Sequence, residues 1–191
     1  MTRPIRLALG VLVLVPFAGS ARAQAADDAG TRAFRDVVTV MSSPRCANCH
    51  IPGAAPLQGD DGHEHIMSIK RGPDGRGTAA ARCRACHQAA NTAAPHGPPG
   101  VADWRLPPPE TRMAWHDLPA ATLCRNLKTP ALTGGRSLPQ LVEHVRTDPL
   151  VRWAWAPGMG RTLPPLSHDA FVAAFTAWVE AGAPCPDGGA R

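Results

Sequence analysis

Apolar positions after Thr31 fall at Phe34, Val37, Val38 and Met41, the i, i+3, i+4, i+7 spacing that gathers side chains on one helix face. A helix is therefore predicted from Thr31 to Ser43-Pro44, where the proline ends it. The same period returns twice. Leu138, Leu141, Val142 and Val145 follow Ser137 and end at Asp148-Pro149, and Phe171, Ala174, Phe175 and Trp178 follow the N-cap Ser167 and stop at Gly182 and Pro184. Between these helices the stretches 51–62, 71–77 and 94–110 are dense in Pro, Gly and Asp, and Pro107-Pro108-Pro109 reads as extended chain. No convincing alternation of apolar and polar residues marks a strand. The pattern predicts a mainly α fold with extensive coil.

The first residues follow another logic. Arg3 and Arg6 precede an apolar run from Leu7 to Ala18, and Ala21-Arg22-Ala23 is an A-x-A cleavage site, so residues 1–23 read as a signal peptide cleaved after Ala23. That run falls short of the roughly 20 residues a membrane span needs, and no later segment is long or apolar enough to make one. Residues 24–191 are then expected to form a single domain in the periplasm, exported through the Sec pathway. Export also changes the charge. The whole chain carries +5, and removing Arg3, Arg6 and Arg22 leaves +2, which excludes nucleic acid as a sensible partner.

The chemistry sits in Cys46-Ala47-Asn48-Cys49-His50 and Cys83-Arg84-Ala85-Cys86-His87. C-x-x-C-H is the attachment signature of c-type haem: two thiols form thioethers to the vinyl groups, and the histidine lies where its imidazole becomes the proximal iron ligand. Two boxes predict two covalently attached haems, with His50 and His87 as proximal ligands. A zinc site built from the same pairs would not require a histidine after each pair, and the interval from Cys49 to Cys83 exceeds the usual ribbon spacing. Neither box lies in the strand–helix–strand pattern of a thioredoxin-like redox pair. Haem also explains the long loops, because chain can wrap a large apolar disc without regular structure.

Six cysteines minus four leaves Cys124 and Cys185, which an oxidising compartment would join as a disulfide. A six-coordinate iron needs a further His or Met. His65 is favoured within His63-Glu64-His65-Ile66-Met67 because it adjoins the apolar Ile66-Met67-Ser68-Ile69 patch. Met113, before Ala114-Trp115, is the second choice, and His144 and Met67 are held in reserve. His63 adjoins acidic residues and reads as solvated, and His168 reads as part of a helix cap.

The run from Met41 to His50, with Gln58-Gly59-Asp60-Asp61, Arg71-Gly72-Pro73-Asp74-Gly75 and the ending from Trp178 to Pro186, resembles a group of small bacterial dihaem c-type cytochromes. Members are often labelled as an isoquinoline 1-oxidoreductase subunit. The resemblance covers most of the chain after residue 23. It implies association with a molybdenum hydroxylase system, in which a cytochrome takes the electrons from an oxidised organic substrate. No cysteine is left for an iron–sulfur cluster, so the chain is not the hydroxylase itself. The helix before the first box and the closing aromatic helix also look like the class I cytochrome c plan. The boxes start only 37 residues apart, too close for two complete class I domains in tandem, so a compact dihaem unit is expected.

The expected function is transfer of single electrons between a periplasmic dehydrogenase or oxidoreductase and a downstream acceptor, both redox partner proteins. The alternative is a small dihaem enzyme, such as a peroxidase or a nitrogen- or sulfur-oxide reductase. It would need one open iron site and an acid–base group such as His96 or His116. A haem-based sensor lacks an output domain in this chain.

Overall fold

A computed structural model describes residues 18–111 and 113–187, with 18–28 as backbone only. The expected signal segment therefore lies mostly outside the described residues. Helix α1 spans Ala18–Met41 and buries Phe34, Val37, Val40 and Met41. Val40 takes the place expected of Val38, which is half-buried. Each fully buried side chain of this kind contributes about 1.5–3 kcal/mol.

Helix α1 packs on α6 (His168–Glu180), whose buried face is Phe171, Phe175 and Trp178. The Phe34 and Trp178 rings meet at 4.8 Å. Gly30 permits this closeness, since a Cβ there would lie 2.6 Å from Pro184 Cγ and 2.7 Å from Ala181 Cβ. Ser167 Oγ accepts from Ala170 N–H at 3.2 Å, the expected cap of α6.

Two further helices complete this core. Helix α3 (Ala120–Leu127) buries Ala121, Leu123, Cys124 and Leu127, and α4 (Leu138–Thr147) buries Leu141, Val142 and Val145. Ser137 N–H donates to Gln140 Oε1 at 2.8 Å at the start of α4. Asp148 ends α4 and also caps α5 (Pro149–Trp153), its Oδ1 accepting from Leu150 N–H at 2.8 Å and Val151 N–H at 3.3 Å. Cys124 is bonded to Cys185, as expected. Lys128 Nζ donates to Ala183 O at 2.9 Å and Trp178 Nε1 to Pro184 O at 3.0 Å, so the tail is held on α3 and α6 by more than the disulfide.

Each box has a short hairpin beside it. Helix α2 (Pro44–Ala47) runs into the first box, and beyond the box β1 (Leu57–Gln58) pairs antiparallel with β2 (His63–Glu64) in the register Leu57 to Glu64 and Gln58 to His63. Before the second, β3 (Gly77–Thr78) pairs with β4 (Ala81–Arg82), Gly77 opposite Arg82. Two-residue strands are too short to leave an alternating pattern, and the structure departs from the sequence reading here. Among the described residues no helix is long and apolar enough to cross a membrane.

Candidate functional site

The two boxes share one turn, in which the second cysteine's N–H donates to the first cysteine's carbonyl, and differ in the acceptor of the histidine N–H. In the first, Cys49 N–H donates to Cys46 O at 3.3 Å and His50 N–H to Ala47 O at 3.1 Å. In the second, a 3-10 turn at Cys83–Ala85, Cys86 N–H and His87 N–H both donate to Cys83 O, at 3.2 and 2.9 Å. One tight turn per box sets two thiols about a turn apart and the histidine directly after them.

Both histidines are then fixed in the same way. His50 Nδ1–H donates to Met113 O at 2.9 Å, and His87 Nδ1–H donates to Pro99 O at 2.7 Å. The bond assigns the proton to Nδ1 and leaves the Nε2 lone pair for a metal, and a carbonyl acceptor raises the basicity of that nitrogen. Burial pushes the His50 imidazole down to about 3, against the opposing effect of the Met113 carbonyl, and burial lowers His87 as well. Burial therefore favours the neutral ring at both positions.

A tryptophan lies flat on each ring. Trp115 stacks on His50 with ring centres 3.4 Å apart and an 11° tilt, and Trp104 stacks on His87 at 4.6 Å and 1°. Trp115 is pinned by its Nε1–H to Met41 O at 2.9 Å, at the end of α1. Neither tryptophan was singled out from sequence. The available signal was a large aromatic on either side of the Pro107-Pro108-Pro109 run.

The four box thiols are free, whereas Cys124 and Cys185 are joined. Burial pushes Cys46 and Cys49 up to about 11 and raises Cys83, so these thiols are protonated. Two buried guanidinium groups bear on the first box. Arg45 donates to Asp60 Oδ1 at 2.6 Å and Gly59 O at 3.0 Å, and its Nε is buried with no hydrogen-bond partner. Arg71, 3% exposed, donates to Ile51 O at 3.0 Å, Gly53 O at 3.1 Å and Pro107 O. Arg71 also ties the boxes together: its N–H donates to Ala54 O at 2.7 Å and its carbonyl accepts from Gly77 N–H at 2.9 Å.

The second box is more open. Cys86 is exposed, and a groove of about 520 Å³ beside His87 and Trp104 is lined by Arg76, Arg82, Arg84 and Val101. Ile66 and Met67 are 59% and 77% exposed, an apolar pair on the surface.

The remaining candidates separate clearly. His65 has its ring centre 6.1 Å from that of His87. Met113 enters through its backbone: its carbonyl holds His50 from behind while its side chain packs against the helical core. His144 is half-buried on α4, with Nδ1 3.4 Å from Asp148 Oδ2, and its charge disfavours protonation of His50. His63 is exposed and donates through Nδ1 to Asp61 at 2.6 Å, and His168 Nε2–H donates to Val145 O at 2.8 Å, tying α6 to α4. His96 is exposed, and His116 Nε2 pairs with Asp117 at 3.3 Å.

Among the described residues no three His, Cys, Asp or Glu side chains gather in a group that could hold a metal ion. No family model, curated protein or solved structure matches the chain.

Proposed function

We propose that this chain is a dihaem c-type cytochrome of the periplasm that passes single electrons between a dehydrogenase or oxidoreductase, such as a molybdenum hydroxylase, and a downstream acceptor. The observation that carries the reading is the repetition at two places of one arrangement: two free thiols in one turn, then a histidine whose Nδ1–H is bonded to a carbonyl. Haem iron, when bound, supplies the one-electron couple, and the protein sets its potential through ligand, hydrogen bonding and burial.

The chain's own residues fit that task. Cys46 and Cys49, and Cys83 and Cys86, would hold the two rings, with His50 and His87 as proximal ligands. Trp115 and Trp104 stack on the two imidazoles and fix their planes. The unpaired Nε–H of Arg45, beside the first pair of thiols, is a donor that an acidic substituent of the cofactor would satisfy. The close α1–α6 crossing before the first box supports a class I-like plan for the N- and C-terminal helices.

The test is expression with a cytochrome c maturation system, followed by intact mass of the periplasmic protein. Two haem additions and a reversible one-electron titration for each are expected. An unmodified mass from properly matured periplasm would remove the basis of the reading.

A further inference from the structure

We propose that His65 and His87 are the two axial ligands of one haem iron, which makes the second site bis-histidine and six-coordinate. This assignment rests on the dihaem reading and adds to it a residue for a specific iron. Its first support is a distance. Two metal–imidazole bonds of about 2 Å, with each ring centre about 1 Å behind its coordinating nitrogen, set opposed ring centres about 6 Å apart. The His65 and His87 rings are 6.1 Å apart.

The second support is the state of the nitrogens. His65 Nδ1–H donates to Ile66 O at 2.8 Å, as His87 Nδ1–H does to Pro99 O at 2.7 Å. Both rings therefore carry the tautomer with Nε2 available, although their acceptors come from different segments.

The third is the way His65 is mounted. It follows directly on β2, its own N–H donates to Pro56 O at 2.9 Å, and Ile66 N–H donates to Gln58 Oε1 at 3.2 Å. That hairpin is rooted in the first box: Leu57 N–H donates to Asn48 O at 2.9 Å, and Asn48 Nδ2–H and Arg45 both donate to Gly59 O. A hairpin anchored between Cys46 and Cys49 thus carries a ligand to the iron of Cys83 and Cys86. The exposed Ile66 and Met67 beside it form the apolar surface that a porphyrin would cover.

A bis-histidine iron has no open position and a lower potential than a His–Met iron, which fits electron transfer rather than peroxide chemistry. The test uses the haem-loaded protein. His65→Ala should keep two haems by mass, turn one of them from low to high spin by electron paramagnetic resonance, and return it to low spin on addition of imidazole. His65→Met, which keeps a ligand at the position, should give that haem a far-red sulfur–iron band and a higher potential. Two unchanged low-spin haems in His65→Ala, with no new band in His65→Met, would overturn the assignment while leaving the dihaem reading intact. A wild-type protein without covalent haem would overturn the dihaem reading, and the assignment with it.

Discussion

The indole of Trp104 lies parallel to the imidazole of His87, tilted by 1°, with ring centres 4.6 Å apart. Trp104 in turn meets Trp153 of α5 edge-on at 4.8 Å and 89°, so the second histidine is connected by rings to the helical part of the molecule. The carbonyl of Pro99 holds the same imidazole through Nδ1. Stack and hydrogen bond together leave the ring little freedom to turn.

Trp104→Ala is expected to loosen His87 without removing it. An aromatic pair contributes about 0.5–1.5 kcal/mol beyond its buried area, so imidazole or cyanide should displace the axial ligand about threefold to tenfold faster at one haem. Stopped-flow absorbance on the haem-loaded protein reads this directly. Equal rates in wild type and variant would mean that the hydrogen bond to Pro99 fixes the ring alone.

Joining Cys124 to Cys185 closes a loop of about 60 residues, for which chain entropy gives a stabilisation of about 4 kcal/mol. Lys128 and Trp178 also hold the tail, through Ala183 O and Pro184 O. Changing both cysteines to Ala should therefore cost about 2–4 kcal/mol, seen as a lower denaturant midpoint with an unchanged haem count. An unchanged midpoint would show that the two tail hydrogen bonds suffice.

The period of α1, α4 and α6 was legible because each presents a continuous apolar stripe bounded by a cap or a proline. Helix α3 carries the same period at Ala120, Leu123, Cys124 and Leu127, but it is eight residues long and opens on Pro119 with no side-chain cap, so little in the sequence marks its start. The hairpins beside the boxes were not legible, since their pairing depends on bonds such as Leu57 N–H to Asn48 O and not on side-chain alternation. The box histidines follow from spacing alone. What spacing cannot give is which atom of a neighbour meets them: the apolar context of Met113 points to its side chain, and the atom that meets His50 is its carbonyl oxygen.

Gly30 sets the approach of α1 to α6. Even the methyl of Gly30→Ala would overlap Ala181 and Pro184, with distances of 2.6–2.9 Å that require the helices to part. Overpacking of this kind costs about 1–3 kcal/mol. Gly53→Ala, where a Cβ meets nothing within 4 Å, should be close to neutral and serves as the control in thermal unfolding.

On the proposed dihaem reading, if His65 serves the iron held by His87, a six-coordinate iron held by His50 would take its second ligand from elsewhere. Met113 cannot easily turn its sulfur to that side, because its carbonyl is fixed on Nδ1 of His50 and its side chain lies in the core. His144 is the histidine held in reserve: it is half-buried on α4, with Asp148 Oδ2 3.4 Å from its Nδ1. His144→Ala should then turn a different haem to high spin from the one affected by His65→Ala, and the double variant should turn both. Met113→Ala should leave both low-spin, since the backbone acceptor remains. Asp148→Asn should raise the potential of the haem of His50, because a carboxylate behind an axial imidazole makes it a stronger electron donor. Asn also caps helices well, so α5 should keep its start at Leu150 and Val151. Redox titration of each variant, followed by electron paramagnetic resonance, checks all of these. Loss of a low-spin signal in Met113→Ala, with none in His144→Ala, would reverse the assignment.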